Sequence, residues 1–346
     1  MNNTLTADVE ITNPQIDIEE LKRNGKTIRE NASASMIDIG DRIALFEFHT
    51  KANAITFEIT GLLLSAVQDP SKQYDAIVIG NRGRYFSAGA NLAELLDSAR
   101  NNKWKEVEKN LRLLQDTNMA LKYGPIPVVA APFSSTLGGA TEISLHSSLV
   151  VAAEDLHMGL VETGVGLIPA GGGTKELRLR ALSHFSDENN HDLISALKKV
   201  FDTILTAKVS RNGEEAKQIF LSKKDVIVPG KQSPIGIAKE YALELLHTGG
   251  CNTVPDMAIP VPGRSGIGIF QNQINYMLET KAITEHDAVI ALHIATILCG
   301  GDVPSGFATE QQLLDLEREA FLSLLGTAKT QERMDYLLKN NKTLHN

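Results

Sequence analysis

The chain has 346 residues, of which 42% are hydrophobic and 22% are charged, and its formal net charge is −8. This length is ample for a sizeable core in one large domain or two smaller ones. The acidic balance argues against nucleic acid as the main partner. Two cysteines, Cys251 and Cys299, are too few for a disulfide framework or a metal site, and they fit a reducing compartment.

The N-terminal sequence gives no sign of export or membrane insertion. Residues 1–15 are polar and lack the basic and apolar regions of a signal peptide. No run of about 18 apolar residues occurs in the chain. We therefore expect a cytoplasmic protein without a membrane span.

The first third of the chain predicts a tail followed by alternating strands and helices. Residues 1–34 are interpreted as a tail or linker with weak helical character after residue 16. The alternation over 35–49, with Gly40 and Asp41 at its turn, predicts a hairpin. Helical spacing over 54–70 ends at a proline, and the apolar run over 74–83 predicts a buried strand.

The middle of the chain repeats a strand, a turn of small residues and a helix. A long helix is predicted over 91–123, a strand over 126–135, a helix over 138–148, and a strand and turn over 149–160. A glycine loop then leads into another helix. This order is typical of an α/β fold, in which ligands bind at the carboxyl ends of strands.

The remainder divides into an irregular stretch and a helical one. We interpret 184–260 as an insertion with a surface loop, inside a core that spans 35–260. From residue 261 to 346 the apolar spacing predicts a C-terminal helical region that serves packing and oligomerisation.

Two turns of small residues suggest a site for a carbonyl group. "SAGA" ends at Ala90 and "LGGA" contains Gly139, and each follows a predicted strand. Free backbone N–H groups at such turns can converge on one oxygen and form an oxyanion hole. Glu142 lies just inside the helix after the second turn, and Glu162 precedes a later glycine turn. Two glutamates beside one activated carbonyl are suited to general acid–base chemistry.

Three stretches together resemble the crotonase superfamily of enoyl-CoA hydratases and isomerases. They are "FSAGANLAEL" (86–95), "PIPVVAAPFSSTLGGATEISL" (125–145) and "MGLVETGVGLIPAGGGTKEL" (158–177). The resemblance is strong over 38–183. It is closest to the hydratase part of a fused 3-hydroxyacyl-CoA dehydrogenase and enoyl-CoA hydratase of fatty-acid β-oxidation. It implies an α/β spiral of ββα units followed by a C-terminal helical region.

The resemblance also implies roles for individual residues. The N–H groups of Ala90 and Gly139 would form the oxyanion hole, and Glu142 and Glu162 would be the two catalytic acids. Having both acids is the hydratase pattern of the family, whereas members with one acid tend towards isomerase or other chemistry. The implied reaction adds water to a trans-2-enoyl-CoA.

The family further implies where coenzyme A binds. By position, its nucleotide end would meet Lys51, Ala52 and the four residues Ser87, Ala88, Gly89 and Ala90. Coenzyme A is part of the substrate, and the reaction requires no metal and no redox cofactor. No dinucleotide fingerprint is present, so we predict no NAD binding.

The family also suggests how the protein assembles. Its members form homo-trimers or hexamers through the end of the chain. A 3-hydroxyacyl-CoA dehydrogenase could be fused to this chain or bound to it as a partner.

Other interpretations of the sequence stay open at this stage. An isomerase of the same fold is the first alternative, and a non-catalytic assembly module of a larger β-oxidation enzyme is the second. Glu142 and His146 lie four residues apart and could form a metal pair, but no third ligand is indicated. The glycine run before Thr174 lacks the spacing of a phosphate loop, and we expect it to shape the turn after Glu162.

Overall fold

The computed structural model describes residues 15–69, 71, 73–183, 191–230, 233–249 and 258–346. The strands are β1 (Thr27–Glu30), β2 (Ala34–Asp38), β3 (Ile43–Phe48), β4 (Ala76–Ile79), β5 (Val128–Ala130), β6 (Ser135–Leu137), β7 (Leu149–Ala153), β8 (His157–Gly159), β9 (Val226–Val228), β10 (Ile259–Val261) and β11 (Gly306–Ala308).

The helices lie before, between and after these strands. They are α1 (Ile18–Arg23), α2 (Phe57–Val67), α3 (Leu92–Arg100), α4 (Trp104–Tyr123), α5 (Gly139–His146), α6 (Gly173–Ser183), α7 (His191–Leu205), α8 (Gly213–Ile219), α9 (Ile235–Thr248), α10 (Gly263–Glu279), α11 (Glu285–Leu298), α12 (Glu310–Leu325) and α13 (Ala328–Asn340). Short 3₁₀ turns cover Lys51–Asn53 and Glu162–Val165.

A seven-stranded sheet in the order β1-β2-β3-β4-β5-β7-β9 forms the centre of the fold. The hairpin predicted over 35–49 is confirmed, because β2 and β3 pair antiparallel. From β3 onward all neighbours are parallel. Every residue of β3, β4, β5 and β7 is buried. This explains the continuous apolar sequences of β4, β5 and β7, because a parallel sheet is covered on both faces.

A second, small sheet positions the turns that matter for the site. It consists of β6 and β8, which follow β5 and β7 directly and pair in parallel, with Leu137 opposite Gly159. The carboxyl ends of β6 and β8 therefore meet at one edge. The turn into α5 begins at one of these ends, and the turn that contains Glu162 begins close to the other.

The prediction of a tail over 1–34 is wrong for the residues that the structure describes. Strand β1 pairs with β2 at the edge of the main sheet. Helix α1 buries Ile18 in an apolar cluster with Ile37 and Ile43, and Asp17 caps its N-terminus. The apolar side chains in this stretch are few, but the sheet supplies the surface that covers them. Residues 1–14 lie outside the described part.

The interpretation of 184–260 as an irregular insertion with a surface loop is also wrong where the structure describes it. Strand β9 extends the main sheet by pairing with β7. Helix α9 packs Ile235 and Ala238 against Val78 and Val129 of the sheet. Helix α9 was missed because the surface it packs on belongs to the sheet and not to its neighbours in the chain. Residues 184–190, 231–232 and 250–257 lie outside the described part.

The predicted long helix over 91–123 is two helices. Asn101 ends α3 as its C-cap, and Asn102 has a φ of +54°. Asparagine tolerates this left-handed conformation better than most residues, and a helix cannot continue through it. The predicted C-terminal helices are present as α10 to α13, joined to the short β10–β11 pair.

The structure describes one of the two cysteines and all the helices that could be tested as membrane spans. Cys299 is fully buried, and burial raises the pKa of its thiol to about 12, so it is an inert core residue. Cys251 lies outside the described residues. Among the described helices, none combines the length and apolar character that a membrane crossing needs.

The contact of α9 with the sheet gives a first prediction. A methyl group on Gly80 would lie 2.5 Å from Cγ1 and 2.9 Å from Cδ1 of Ile235. We therefore expect Gly80→Ala to lower the free energy of unfolding by about 1–3 kcal/mol through overpacking, as measured by urea denaturation.

Gly268 provides the matched control, because it lies within α10 and a methyl group there would contact nothing within 4 Å. Gly268→Ala should leave stability unchanged or raise it slightly, since alanine is the better helix former. Equal stability of Gly80→Ala and the wild type would contradict the packing of α9 on the sheet.

Candidate active site

The two turns of small residues converge on each other. Ser87 bridges to Thr136 of β6, and the N–H of Leu137 donates to the Ser87 carbonyl at 3.2 Å. A methyl group on Gly89 would lie 2.9 Å from the Leu137 carbonyl oxygen and 3.7 Å from Cα of Gly138. Glycine at position 89, with a φ of +92°, is what allows this close approach.

The amides of Ala90 and Gly139 are brought to this meeting point. Ala90 follows Gly89 and is exposed, while Gly139 is the first residue of α5. The hydrogen bonds found within the described ranges use neither of these two N–H groups. Both therefore remain available to an oxygen atom, and the positive end of the α5 dipole lies at the same place.

Glu142 is fixed by the glycine run that precedes α6. Its Oε1 accepts hydrogen bonds from the N–H groups of Gly171 at 2.8 Å and Gly173 at 2.9 Å. Burial raises the pKa of the Glu142 carboxyl to about 7, and the two amide hydrogen bonds limit the rise because they stabilise the ionised form. Glu142 is thus a carboxylate that titrates near neutral pH.

Glu162 lies in the 3₁₀ turn after β8, and the environment of its carboxyl group is different. Its Oε2 is buried and has no hydrogen-bond partner among the described residues. Burial first, and the negative charge of Glu142 second, raise the pKa of the Glu162 carboxyl well above its ordinary value. Of the two acids, Glu162 therefore holds a proton more strongly.

Both carboxylates border the same backbone turn. A methyl group on Gly138 would lie 3.1 Å from Oε1 of Glu162, and one on Gly139 would lie 3.9 Å from Oε2 of Glu142. The predicted site residues Ala90, Gly139, Glu142 and Glu162 are therefore brought together. A small molecule at the Gly138–Gly139 turn would have both acids and both free amides within reach.

A buried ionic cluster lies beneath α5. The Nζ of Lys175 is 2.7 Å from Oε2 of Glu310, 3.1 Å from Oε2 of Glu176 and 3.0 Å from Nε2 of His146. Because an ammonium group can only donate, His146 accepts at Nε2, and its Nδ1–H donates to the Glu142 carbonyl at 2.7 Å. Burial and the charge of Lys175 lower the pKa of His146 to about 3, which keeps the ring neutral.

His146 is therefore not available as a metal ligand. The described residues contain no group of three or more His, Cys, Asp or Glu side chains that could hold a metal ion. Both ring nitrogens of His146 are used in hydrogen bonds to neighbouring groups of the protein.

The residues predicted to meet coenzyme A lie on one side of this site. The Ala88 N–H donates to the Ala52 carbonyl at 3.1 Å, which joins the Lys51–Asn53 turn to the Ser87–Ala90 turn. Lys51, Ala52, Ala88 and Ala90 are exposed. Ser87 is buried and its Oγ accepts from the N–H of Gly89, so its side chain is not presented to solvent.

The glycine run before α6 has a role that the sequence did not predict. Gly171 and Gly173 were expected only to shape a turn, but their amides donate to Glu142. A methyl group on Gly171 would lie 2.6 Å from Oε2 of Glu142, and one on Gly173 would lie 2.7 Å from its Oε1. The consecutive glycines before a helix were a visible signal of close backbone approach, but their partner was not.

The buried carboxylate gives a prediction about stability. The pKa of Glu142 is about 7 in the folded protein, above its unfolded value near 4.3. The wild type therefore loses stability as pH rises from about 4 through 7, because the unfolded chain ionises more easily. Glu142→Gln lacks this ionisable group, so its free energy of unfolding relative to that of the wild type should increase over this range by up to about 4 kcal/mol, at about 1.4 kcal/mol per pKa unit.

Chemical denaturation at pH 4.5 and pH 8 measures this change. Glu319→Gln, at an exposed position of α12, is the control and should show no such dependence. A constant difference between Glu142→Gln and the wild type at both pH values would show that the pKa of Glu142 is not raised.

Comparisons with known sequences place this site in a known family. The profile of the enoyl-CoA hydratase/isomerase family matches residues 38–200. A probable 3-hydroxyacyl-CoA dehydrogenase of Bacillus subtilis is 41% identical over 96% of this chain and 42% of its own length. A putative fatty acid oxidation complex trifunctional enzyme of Rickettsia felis is 27% identical over 93% of this chain and 41% of its own length. The chain thus spans about two fifths of these relatives.

Solved structures show the same architecture. An enoyl-CoA hydratase from Bacillus halodurans superposes with a TM-score of 0.59 and 16% identity, covering 88% of this chain and all of that one. An enoyl-CoA hydratase from Rhodobacter sphaeroides gives a TM-score of 0.61 and 19% identity over 91% of this chain and 92% of that one. At these identities the likeness establishes the fold, which confirms the predicted crotonase-like architecture.

The sequence profile and the fold lead to the same assignment, and the resemblance inferred from the three sequence stretches is confirmed. Residues 38–200 of this chain match the enoyl-CoA hydratase/isomerase family, and the chain has the fold of solved enoyl-CoA hydratases.

Proposed function

We propose that this protein is an enoyl-CoA hydratase, which catalyses the reversible syn addition of water to a trans-2-enoyl-CoA and yields a 3-hydroxyacyl-CoA. The observation that carries the proposal is the pair of buried carboxylates, Glu142 and Glu162, that border the same Gly138–Gly139 turn. Two acids at one small site can hold a water molecule between them, which hydration requires and isomerisation does not.

The different environments of the two acids give each of them a different role in proton transfer. The proposal places the proton of the pair on Glu162 at neutral pH, because two amides stabilise the ionised form of Glu142 whereas Oε2 of Glu162 has no hydrogen-bond partner among the described residues. Glu142 is ionised and accepts hydrogen bonds from two amides. It takes a proton from the water molecule while the oxygen of that water attacks C3. Glu162 gives its proton to C2, so that the elements of one water molecule enter the product and the pair keeps one proton.

The free amides stabilise the charge that develops during attack. When oxygen adds to C3, electron density moves to the thioester oxygen and forms an enolate. The N–H groups of Ala90 and Gly139 would hold this oxygen, and they are fixed in place before the reaction by the Gly89–Leu137 contact and by helix α5. Removal of one such donor typically lowers kcat by about 10²–10³-fold.

The substrate and its surroundings follow from the same proposal. The nucleotide end of coenzyme A would lie on the exposed Lys51–Ala52 turn and the backbone of Ala88 to Ala90. The chemistry uses only protein groups and needs no metal or redox cofactor. A homo-trimer or hexamer, a location in the cytoplasm and a place in fatty-acid β-oxidation are parts of the proposal that rest on the family.

A dehydrogenase partner is proposed on the names of the relatives. Two of them are named as a dehydrogenase and a trifunctional fatty acid oxidation enzyme, and this chain matches about two fifths of each. A 3-hydroxyacyl-CoA dehydrogenase, fused or bound, would consume the product of the hydration.

The roles of the two acids can be tested by substitution. Glu142→Gln and Glu162→Gln should each lower the hydration of crotonyl-CoA by roughly 10²–10⁴-fold, because each removes one proton-transfer group while keeping its shape. The measurement is the loss of the absorbance of the conjugated enoyl thioester. Binding of a 3-hydroxyacyl-CoA, followed by calorimetry, should change little.

Glu154→Gln is a suitable control, because Glu154 is an exposed residue at the end of β7 and outside the site. Wild-type rates in either Glu142→Gln or Glu162→Gln would contradict the assignment. A folded wild type that leaves enoyl-CoA unchanged but moves the double bond of a 3-enoyl-CoA would favour the isomerase.

The pKa of Glu142 predicts the pH dependence of the rate. Because Glu142 acts as the base, kcat/KM should rise with pH through about 7, the pKa given by its burial. It should fall again at higher pH, where Glu162 loses its proton. A stopped-flow or steady-state profile from pH 5 to 10 measures both limbs, and a rate that is flat from pH 5 to 7 would contradict Glu142 as the base.

A further inference from the structure

A third buried carboxylate, Glu317 of α12, lies behind the site. Its side chain has no exposed surface. Its Oε2 accepts from the N–H of Gly172 at 2.8 Å, and its Oε1 accepts from the N–H of Lys175 at 2.6 Å. Both oxygens of this carboxylate are therefore used to hold the backbone of the turn that leads into α6.

These amides alternate with the two that serve Glu142. Within the turn from Gly171 to Lys175, the N–H groups of Gly171 and Gly173 donate to Glu142, and those of Gly172 and Lys175 donate to Glu317. One short stretch of backbone is thus clamped between carboxylates from two different helices, α5 and α12.

Steric contacts and hydrogen bonds restrict the turn from Gly171 to Lys175 to few conformations. Gly172 has a φ of +102°, and a methyl group on it would lie 2.8 Å from Nε2 of His146. The carbonyl of Gly171 accepts from Nδ2 of Asn118 at 2.7 Å. Glu317 accepts hydrogen bonds from two further amides of this turn, at 2.8 and 2.6 Å, so it is a principal holder of the amide directions.

We propose that Glu317 is a positioning residue, which holds the Gly171–Lys175 turn so that the amides of Gly171 and Gly173 face Glu142. Glu317 does not touch the substrate. It acts through Glu142, because the geometry of the base depends on the two amides that the turn presents. The inference rests on the proposed function for the reaction in which Glu142 takes part.

Substitution of Glu317 tests the proposal kinetically. In Glu317→Gln the side chain offers one acceptor oxygen and one NH₂ donor, so one of the two amide N–H groups loses its partner. We expect kcat for hydration to fall about 10- to 100-fold, as for a catalytic group displaced by about 1 Å, while KM changes little. Glu319→Gln, the same change at an exposed position of α12, should keep wild-type kinetics.

A double substitution separates positioning from general damage. If Glu317 acts through Glu142, the rate of the variant with both Glu142→Gln and Glu317→Gln should equal that of Glu142→Gln alone. Losses that multiply in the double variant, or a wild-type kcat in Glu317→Gln, would overturn the proposal. Should Glu317→Gln fail to fold, Glu317→Asp, which shortens the side chain by one methylene, allows the same measurements.

Amide hydrogen exchange tests the anchoring without any reaction. The amides of residues 171–175 should exchange faster with deuterium in Glu317→Gln than in the wild type or Glu319→Gln. Unchanged exchange would overturn the proposal whatever the protein catalyses. A folded wild type without hydration would reject the proposed function instead, and the exchange experiment would still decide whether Glu317 holds the turn.

Discussion

The closeness of two buried carboxylates is the constraint on which the rest of the site depends. Burial alone opposes ionisation, and a second negative charge nearby opposes it further. The two carboxylates are stabilised unequally. Glu142 accepts hydrogen bonds from two backbone amides, whereas Oε2 of Glu162 accepts none from the described residues. The unequal support favours the proton on Glu162, and in the proposed reaction this would make Glu142 the base and Glu162 the acid.

The C-terminal helices hold the backbone around both acids. Helix α12 reaches the turn that serves Glu142 through Glu317. Helix α13 reaches the Glu162 turn through Thr330, whose Oγ1 donates to the carbonyl of Gly166 at 2.8 Å. A methyl group on Gly166 would lie 2.7 Å from that same Oγ1. The strands thus place the acids, and the last two helices fix the turns beside them.

The sequence allowed prediction of those features that depend on neighbours in the chain. The buried strands, the turn before α5 and the positions of Glu142 and Glu162 all follow from local patterns. Helix α9 was missed because its packing surface belongs to the sheet. Glu317 was missed because it lies in an ordinary helical pattern, and its partners Gly172 and Lys175 are 145 and 142 residues away. A single sequence contains no local signal for such pairs.

These long separations along the chain also determine the order in which parts of the site can form during synthesis. A ribosome releases the chain from its N-terminus, and the strands from β3 to β7 emerge well before α12 and α13. The contact between Thr330 and Gly166 spans 164 residues, so it forms only after α13 has been synthesised. A nascent chain that already has its central sheet therefore still lacks the supports of both acids. These two supports are therefore added in one late step, once α13 has emerged, and not gradually along the chain.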